Sequence, residues 1–111
     1  MRFGMYCKKG DVILIRFPFT DLSQTKKRPV LVVKDQNDYG DFVCFQITSR
    51  KMQSYLLEIL SSDYKDNELK INSFVKYDKC FTLNKEIVDK KLSALNNHFL
   101  QNLKEQFCKQ L

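Results

Sequence analysis

The chain has 111 residues, 43% hydrophobic and 29% charged, which suits one domain burying about two-thirds of its unfolded surface and leaves no room for a second. Nineteen Lys and Arg against 13 Asp and Glu give a net charge of +6, an excess that attracts polyanions or an acidic protein and says nothing about fold. The longest apolar runs, residues 12–15 and 30–33, fall far short of the roughly 18 residues of a membrane-spanning helix.

No segment is polar enough to read as a disordered tail, so a single domain over residues 1–111 is expected. Residues 1–9 carry scattered charges and no apolar stretch before a small-residue cleavage site, so a cytoplasmic location without membrane attachment is expected. Gly10-Asp11 punctuates the start. Residues 12–17 are β-branched and aromatic with only Arg16 polar, which predicts a first strand. A polar, basic loop follows through Arg28, and Pro29 opens a second strand over residues 30–33. Residues 35–41 form a turn cluster.

Residues 42–48 alternate, with Phe42, Cys44, Gln46 and Thr48 on one face and Val43, Phe45 and Ile47 on the other, so a third strand ends at Thr48. Residues 55–60 and 73–83 supply further strands around a polar stretch. At least five closely spaced strands predict a small, strongly bent antiparallel sheet or barrel. The last quarter changes period. Phe99, Leu103, Phe107 and Leu111 are spaced by four with Leu100 on the same stripe, and Asn96 is placed to cap, which predicts an amphipathic helix of about four turns. Ile87, Val88 and Leu92 predict a shorter helix over residues 85–92.

The cysteines at 7, 44, 80 and 108 form no C-x-x-C pair and the chain has one histidine, so no metal site and no cofactor are expected. Cys44, Cys80 and Cys108 lie in apolar settings that suit buried, reduced thiols. His98 falls in the first turns of the last helix, a structural position.

Two loops hold polar groups that the strand pattern does not require, residues 20–28 and 48–51. If the second and third strands are antiparallel neighbours across the short turn at 35–41, Arg28 and Thr48 lie at the same edge of the sheet. One cleft then gathers a guanidinium, a hydroxyl and several lysines.

The run Gly10-Asp11-Val12-Ile13-Leu14-Ile15-Arg16-Phe17-Pro18-Phe19-Thr20-Asp21-Leu22-Ser23, followed by Lys27-Arg28-Pro29-Val30-Leu31-Val32-Val33, resembles the opening signature of MazF/PemK-like toxins. Gln46-Ile47-Thr48-Ser49 is similar to the family's second motif, and Ser73-Phe74-Val75-Lys76 with Phe81-Thr82-Leu83 to its third. Residues 91–95 resemble the lead-in to its last helix, so the likeness spans nearly the whole chain in order. The resemblance implies an SH3-like barrel of about five to seven strands with a C-terminal amphipathic helix, mostly β with α, shared with CcdB-like toxins. It implies a homodimer, sequence-selective endoribonuclease activity and an antitoxin encoded alongside. The family's catalytic arginine and threonine correspond to Arg28 and Thr48. Some members carry a glutamate in the first loop where this chain has Gln24, and Ser93 replaces a glycine before the last helix.

The chemistry agrees. Scission by the 2′-hydroxyl of RNA needs charge stabilised on the phosphoryl oxygens and a proton for the leaving 5′-oxygen. With a single histidine, a guanidinium that matches phosphate bidentately is the natural alternative. Arg28 is therefore assigned to the phosphorane, with leaving-group protonation as a further role open to it, and Thr48 to a hydrogen bond to the same phosphate. The general base stays unassigned, Asp21 being the only carboxylate in the first loop. Lys26, Lys27, Arg50 and Lys51 are expected to hold the RNA backbone, and Ser23, Gln24, Gln46 and Ser49 to read base edges. Two other functions fit the same fold: a non-catalytic toxin that blocks a protein such as gyrase, and an SH3-like interaction module.

Overall fold

The computed structural model describes residues 6–18 and 25–111. Among these residues six strands form one antiparallel sheet: β1 (Asp11–Pro18), β2 (Thr25–Lys34), β3 (Asp41–Thr48), β4 (Leu56–Glu58), β5 (Phe74–Asn84) and β6 (Val88–Ala94), followed by one α-helix, α1 (Asn97–Gln110). The order across the sheet is β4-β5-β3-β2-β1-β6. The mostly β architecture with a C-terminal helix is the one the sequence predicts. Among the described residues no ladder joins the edge strands β4 and β6. The chain after β4 nevertheless meets the end of β6 through a bridge between Tyr64 and Leu95 and a 2.8 Å bond from the Lys65 N–H to the Ala94 carbonyl, so the sheet curls on itself.

Curling gives the sheet two apolar faces, which explains strands with few polar positions. Ile13, Ile15, Val30, Val32, Phe42 and Cys44 form one core, and Val12, Leu31, Phe45, Ile47 and Val75 form the other, under Phe99 and Leu103 of α1. Alternation places each set, since neighbours along a strand point to opposite faces. In β5, residues 77–79 are looped out between Phe45↔Cys80 and Gln46↔Lys76. This bulge bends the strand and offers the Tyr77 carbonyl to Gln110 Nε2 of α1 at 2.9 Å. The helix is capped as expected: the Asn96 side chain accepts from the Phe99 N–H at 2.9 Å. Phe107 packs on Phe45 at a centroid distance of 5.2 Å, while Leu111 lies past the last turn and is 87% exposed.

Three expectations are corrected. Residues 85–92 do not form a helix: after one 3-10 turn, Lys85–Ile87, the chain becomes β6 and pairs with β1, Ile13 opposite Lys91. The open edge of β1 needs partners for its N–H and C=O groups, and that demand overrides the local spacing. Strand β2 starts at Thr25, so Lys26, Lys27 and Arg28 are strand residues; the β1 ladder runs on through Arg16↔Lys27 to Pro18↔Thr25. Cys7 and Cys44 are buried, but Cys80 and Cys108 are exposed. Cys80 follows the bulge, and Cys108 sits one position off the buried stripe of α1. Order also starts earlier than Gly10, because the fully buried Cys7 exchanges hydrogen bonds with Gln36.

Candidate active site

Val30 of β2 pairs with Gln46 of β3, and this ladder goes no further toward the sheet edge. Pro29, which has no N–H to donate, stands at that end. Arg28 and Thr48 lie two residues beyond the last pair on adjacent antiparallel strands, on the face of Val30 and Gln46. Where the ladder stops the strands part, and Arg28, Val30, Gln46 and Thr48 line a cleft of ≈ 750 Å³. The sequence-based expectation that Arg28 and Thr48 share one cleft corresponds to this placement.

Thr48 is held by its own turn. Its Oγ1 accepts from the Arg50 N–H at 3.1 Å and from Gln53 Nε2 at 3.4 Å, a hydroxyl-capped turn at the strand end. Both bonds use the oxygen as acceptor and leave the hydroxyl proton available as a donor. The turn also aims Arg50, Lys51, Met52 and Gln53 at the cleft. Tyr55 ends this loop with a φ of 60°, a conformation unfavourable for a tyrosine. Its carbonyl accepts from the Tyr77 N–H at 3.0 Å, and its ring meets the Tyr77 ring edge-on at 5.9 Å. Lys76 Nζ donates to the Ser54 carbonyl at 3.1 Å. The loop is therefore tied to β5 from both sides.

The other residues assigned from the sequence separate. Arg50, Lys51 and Gln46 line the main cleft, and Ser49 lines a second hollow beside it. Lys26 is exposed on β2, outside both linings. Lys27 points away, because strand alternation puts it opposite Arg28, and its Nζ lies 3.2 Å from Asp89 Oδ2 while Arg16 holds Oδ1 at 3.2 Å. The Lys27 hydrogen bond is the main cause that keeps the Asp89 carboxyl below its ordinary range, helped by Arg16. Lys27 is thus committed to an ion pair and not to the cleft. Ser23, Gln24 and Asp21 lie outside the described residues.

Sequence reasoning missed Met52, Gln53 and Phe81, which also line the cleft. Phe81 pairs with Cys44, two residues before Gln46, and so shares its face; strand alternation in β5 held that signal. Met52 is 96% exposed, and nothing in the loop's composition marks its direction. Among the described lining residues Arg28, Arg50 and Lys51 supply positive charge and no carboxylate opposes them. Among the described residues no three His, Cys, Asp or Glu side chains converge as metal ligands, and no helix is long and apolar enough to cross a membrane.

The family model described as "PemK-like, MazF-like toxin of type II toxin-antitoxin system" matches residues 8–111. No curated protein matches the sequence. Among solved structures, MazE-MazF (Form-II) from Deinococcus radiodurans superposes with a TM-score of 0.76 at 17% identity, covering 94% of each chain. MazF (Form-I) from the same organism gives 0.72 at 18% identity over 96% of each. An endoribonuclease in complex with its cognate antitoxin from Mycobacterial species gives 0.71 at 16% identity, covering 93% of this chain and 92% of that one. At such identities the superpositions establish a shared fold.

Proposed function

Given that the chain belongs to the PemK-like, MazF-like toxins of type II toxin-antitoxin systems, we propose that it is an endoribonuclease that cuts single-stranded RNA at the cleft of Arg28 and Thr48. One observation carries this reading: a guanidinium and a hydroxyl two residues past a broken ladder share a cleft whose other described charges, Arg50 and Lys51, are all positive. A polyanion is the complementary ligand.

In the proposed reaction the 2′-hydroxyl gives its proton to solvent water and attacks the adjacent phosphorus. The O2′–P bond forms as the P–O5′ bond breaks, and the leaving O5′ takes a proton from solvent, so that a 2′,3′-cyclic phosphate and a 5′-hydroxyl result. Arg28 sets two N–H donors against the phosphoryl oxygens as charge grows on them. The Thr48 hydroxyl donates a hydrogen bond to the same phosphate, its oxygen already fixed by Arg50 and Gln53. The route uses no metal. Arginine stays protonated near neutral pH, so it does not take the 2′-proton, and the cleft's described lining holds no carboxylate for that step.

The protein acts as a homodimer, and its neutralisation by an acidic antitoxin is supported by the antitoxin complexes among its structural neighbours. Cytoplasmic RNA is its substrate. The deciding experiment incubates purified protein with a long single-stranded RNA in EDTA. Discrete fragments ending in cyclic phosphate are expected, and intact RNA would overturn the nuclease reading in favour of a binding toxin.

A further inference from the structure

A second hollow of ≈ 360 Å³ adjoins the main cleft and shares Arg28, Gln46, Thr48 and Arg50 with it. The remaining walls differ. The main cleft continues over Val30, Phe81 and Met52, whereas the second runs over Pro29, Ile47 and Ser49, which alternate with the shared residues, and then onto Leu69, Lys70 and Ile71. The Arg28–Thr48 edge is thus a ridge with one hollow on either side.

We propose that the hollow walled by residues 69–73 is a second nucleotide subsite, which takes the RNA strand on the opposite side of the scissile phosphate from the main cleft. This rests on the nuclease reading, since it uses the same phosphate position. A strand with one phosphate on the ridge extends in two directions, and both hollows begin at that phosphate. The chemistry of the second fits a nucleotide: Ile71 is 66% exposed, an aliphatic surface for a base or ribose, and beside it Lys70 enters no ion pair among the described residues. Lys70 and Arg50 bracket the hollow with positive charge, and no carboxylate lines it among the described residues.

The wall is built in advance. Ser73, 6% exposed, donates through Oγ to the Ile71 carbonyl at 2.8 Å. The Ile59 N–H donates to the Ser73 carbonyl at 3.0 Å, and Ser93 Oγ donates to the Asn67 carbonyl. Residues 67–73 are therefore pinned to β6 and to the chain after β4, and little ordering cost remains for binding.

The test pairs Lys70→Ala/Ile71→Ser with the parent. Both side chains are exposed, so folding should survive, with circular dichroism as the check. Binding is read by fluorescence anisotropy with labelled oligoribonucleotides carrying a 2′-deoxy nucleotide at the cleavage position, either extending both ways from it or truncated to the 5′ or the 3′ side. On the full oligonucleotide the variant should bind roughly tenfold more weakly, with a salt slope shallower by about 0.7. One truncation should weaken the parent by the same factor and erase its difference from the variant. A variant that binds the full oligonucleotide within twofold of the parent, or loses equally on both truncations, overturns the subsite. So does unchanged RNA binding with weakened binding of the acidic antitoxin, which would make the hollow a protein contact. If the expected binding pattern appears but the parent leaves uncut RNA intact, the nuclease reading falls and the subsite stands. If the parent binds no oligonucleotide, both fall.

Discussion

Arg28 and Thr48 stand on adjacent antiparallel strands, each two residues beyond the Val30–Gln46 pair that ends their ladder. Both side chains line the cleft that opens there, where one phosphate can lie between them. Arg28→Ala should therefore lower single-turnover cleavage of a defined oligonucleotide at least about 10²-fold with the fold intact, in line with the loss of one oxyanion donor. Arg28→Lys should restore only part of the rate, because an ammonium lacks the planar two-pronged donor. A folded Arg28→Ala protein cutting within a few-fold of the parent would show that the site is elsewhere.

Thr48 has two duties, since its oxygen closes the turn onto Arg50 and Gln53 and its hydroxyl is assigned a hydrogen bond to the phosphate. Thr48→Ser keeps both and should remain the more active variant. Thr48→Val keeps the shape and loses both, and should cost more in rate than in stability, where one exposed turn bond is worth about 1 kcal/mol. Equal rates for the two variants in the same assay would remove the hydroxyl from the mechanism.

Tyr55 holds a left-handed backbone at the end of the loop that carries Arg50 to Gln53. Tyr55→Gly and Tyr55→Ala both delete the ring contact with Tyr77, yet the glycine variant should be more stable by about 1 kcal/mol, because only glycine takes this φ without steric cost. Urea denaturation reads the difference, and an alanine variant as stable as the glycine one would refute the strain.

The thiols should divide by burial. Burial pushes Cys7 up to about 11 and Cys44 up to about 12 from a value of 9.0, with nearby Asp11 adding to the first and the neighbouring thiols to the second. Unfolded thiols ionise above about pH 9 while these two stay protonated, so alkali favours the unfolded chain. The stability they contribute is complete below pH 9 and falls as pH rises toward 11 and 12. Denaturation midpoints should decline over that window, and Cys44→Ala should make the decline shallower. At pH 8 a maleimide should label Cys80 and Cys108 in the folded protein and all four thiols only after unfolding.

Leu60, just after the edge strand β4, is 52% exposed, and Leu111 is 87% exposed at the end of α1. Exposed apolar side chains of this size favour burial against a second copy across a two-fold axis. Sedimentation at micromolar concentration should give twice the 13.2 kDa chain mass, and a value near the single-chain mass would count against a homodimer.

The sequence by itself determined β1, the core of β2, β3 and α1, and with them the meeting of Arg28 and Thr48. Each follows from local chemistry: β-branched runs, strict alternation through residues 42–48, a four-residue stripe behind an asparagine cap, and a short turn that makes β2 and β3 neighbours. Tertiary structure decided what depends on distant partners. Residues 88–94 became a strand because β1 had an unpaired edge, and pairing along the opposite edge of β1 drew residues 25–28 into β2. Lys27 was taken from the cleft by Asp89, 62 positions later in the chain, since an ion pair is set by proximity in space. Phe81, Gln53 and the wall of residues 69–73 reached the site through a β5 pairing, a side-chain bond to Thr48 and anchors on β6. Period and propensity describe how a segment satisfies its own backbone, whereas a cleft is formed by segments that satisfy one another's.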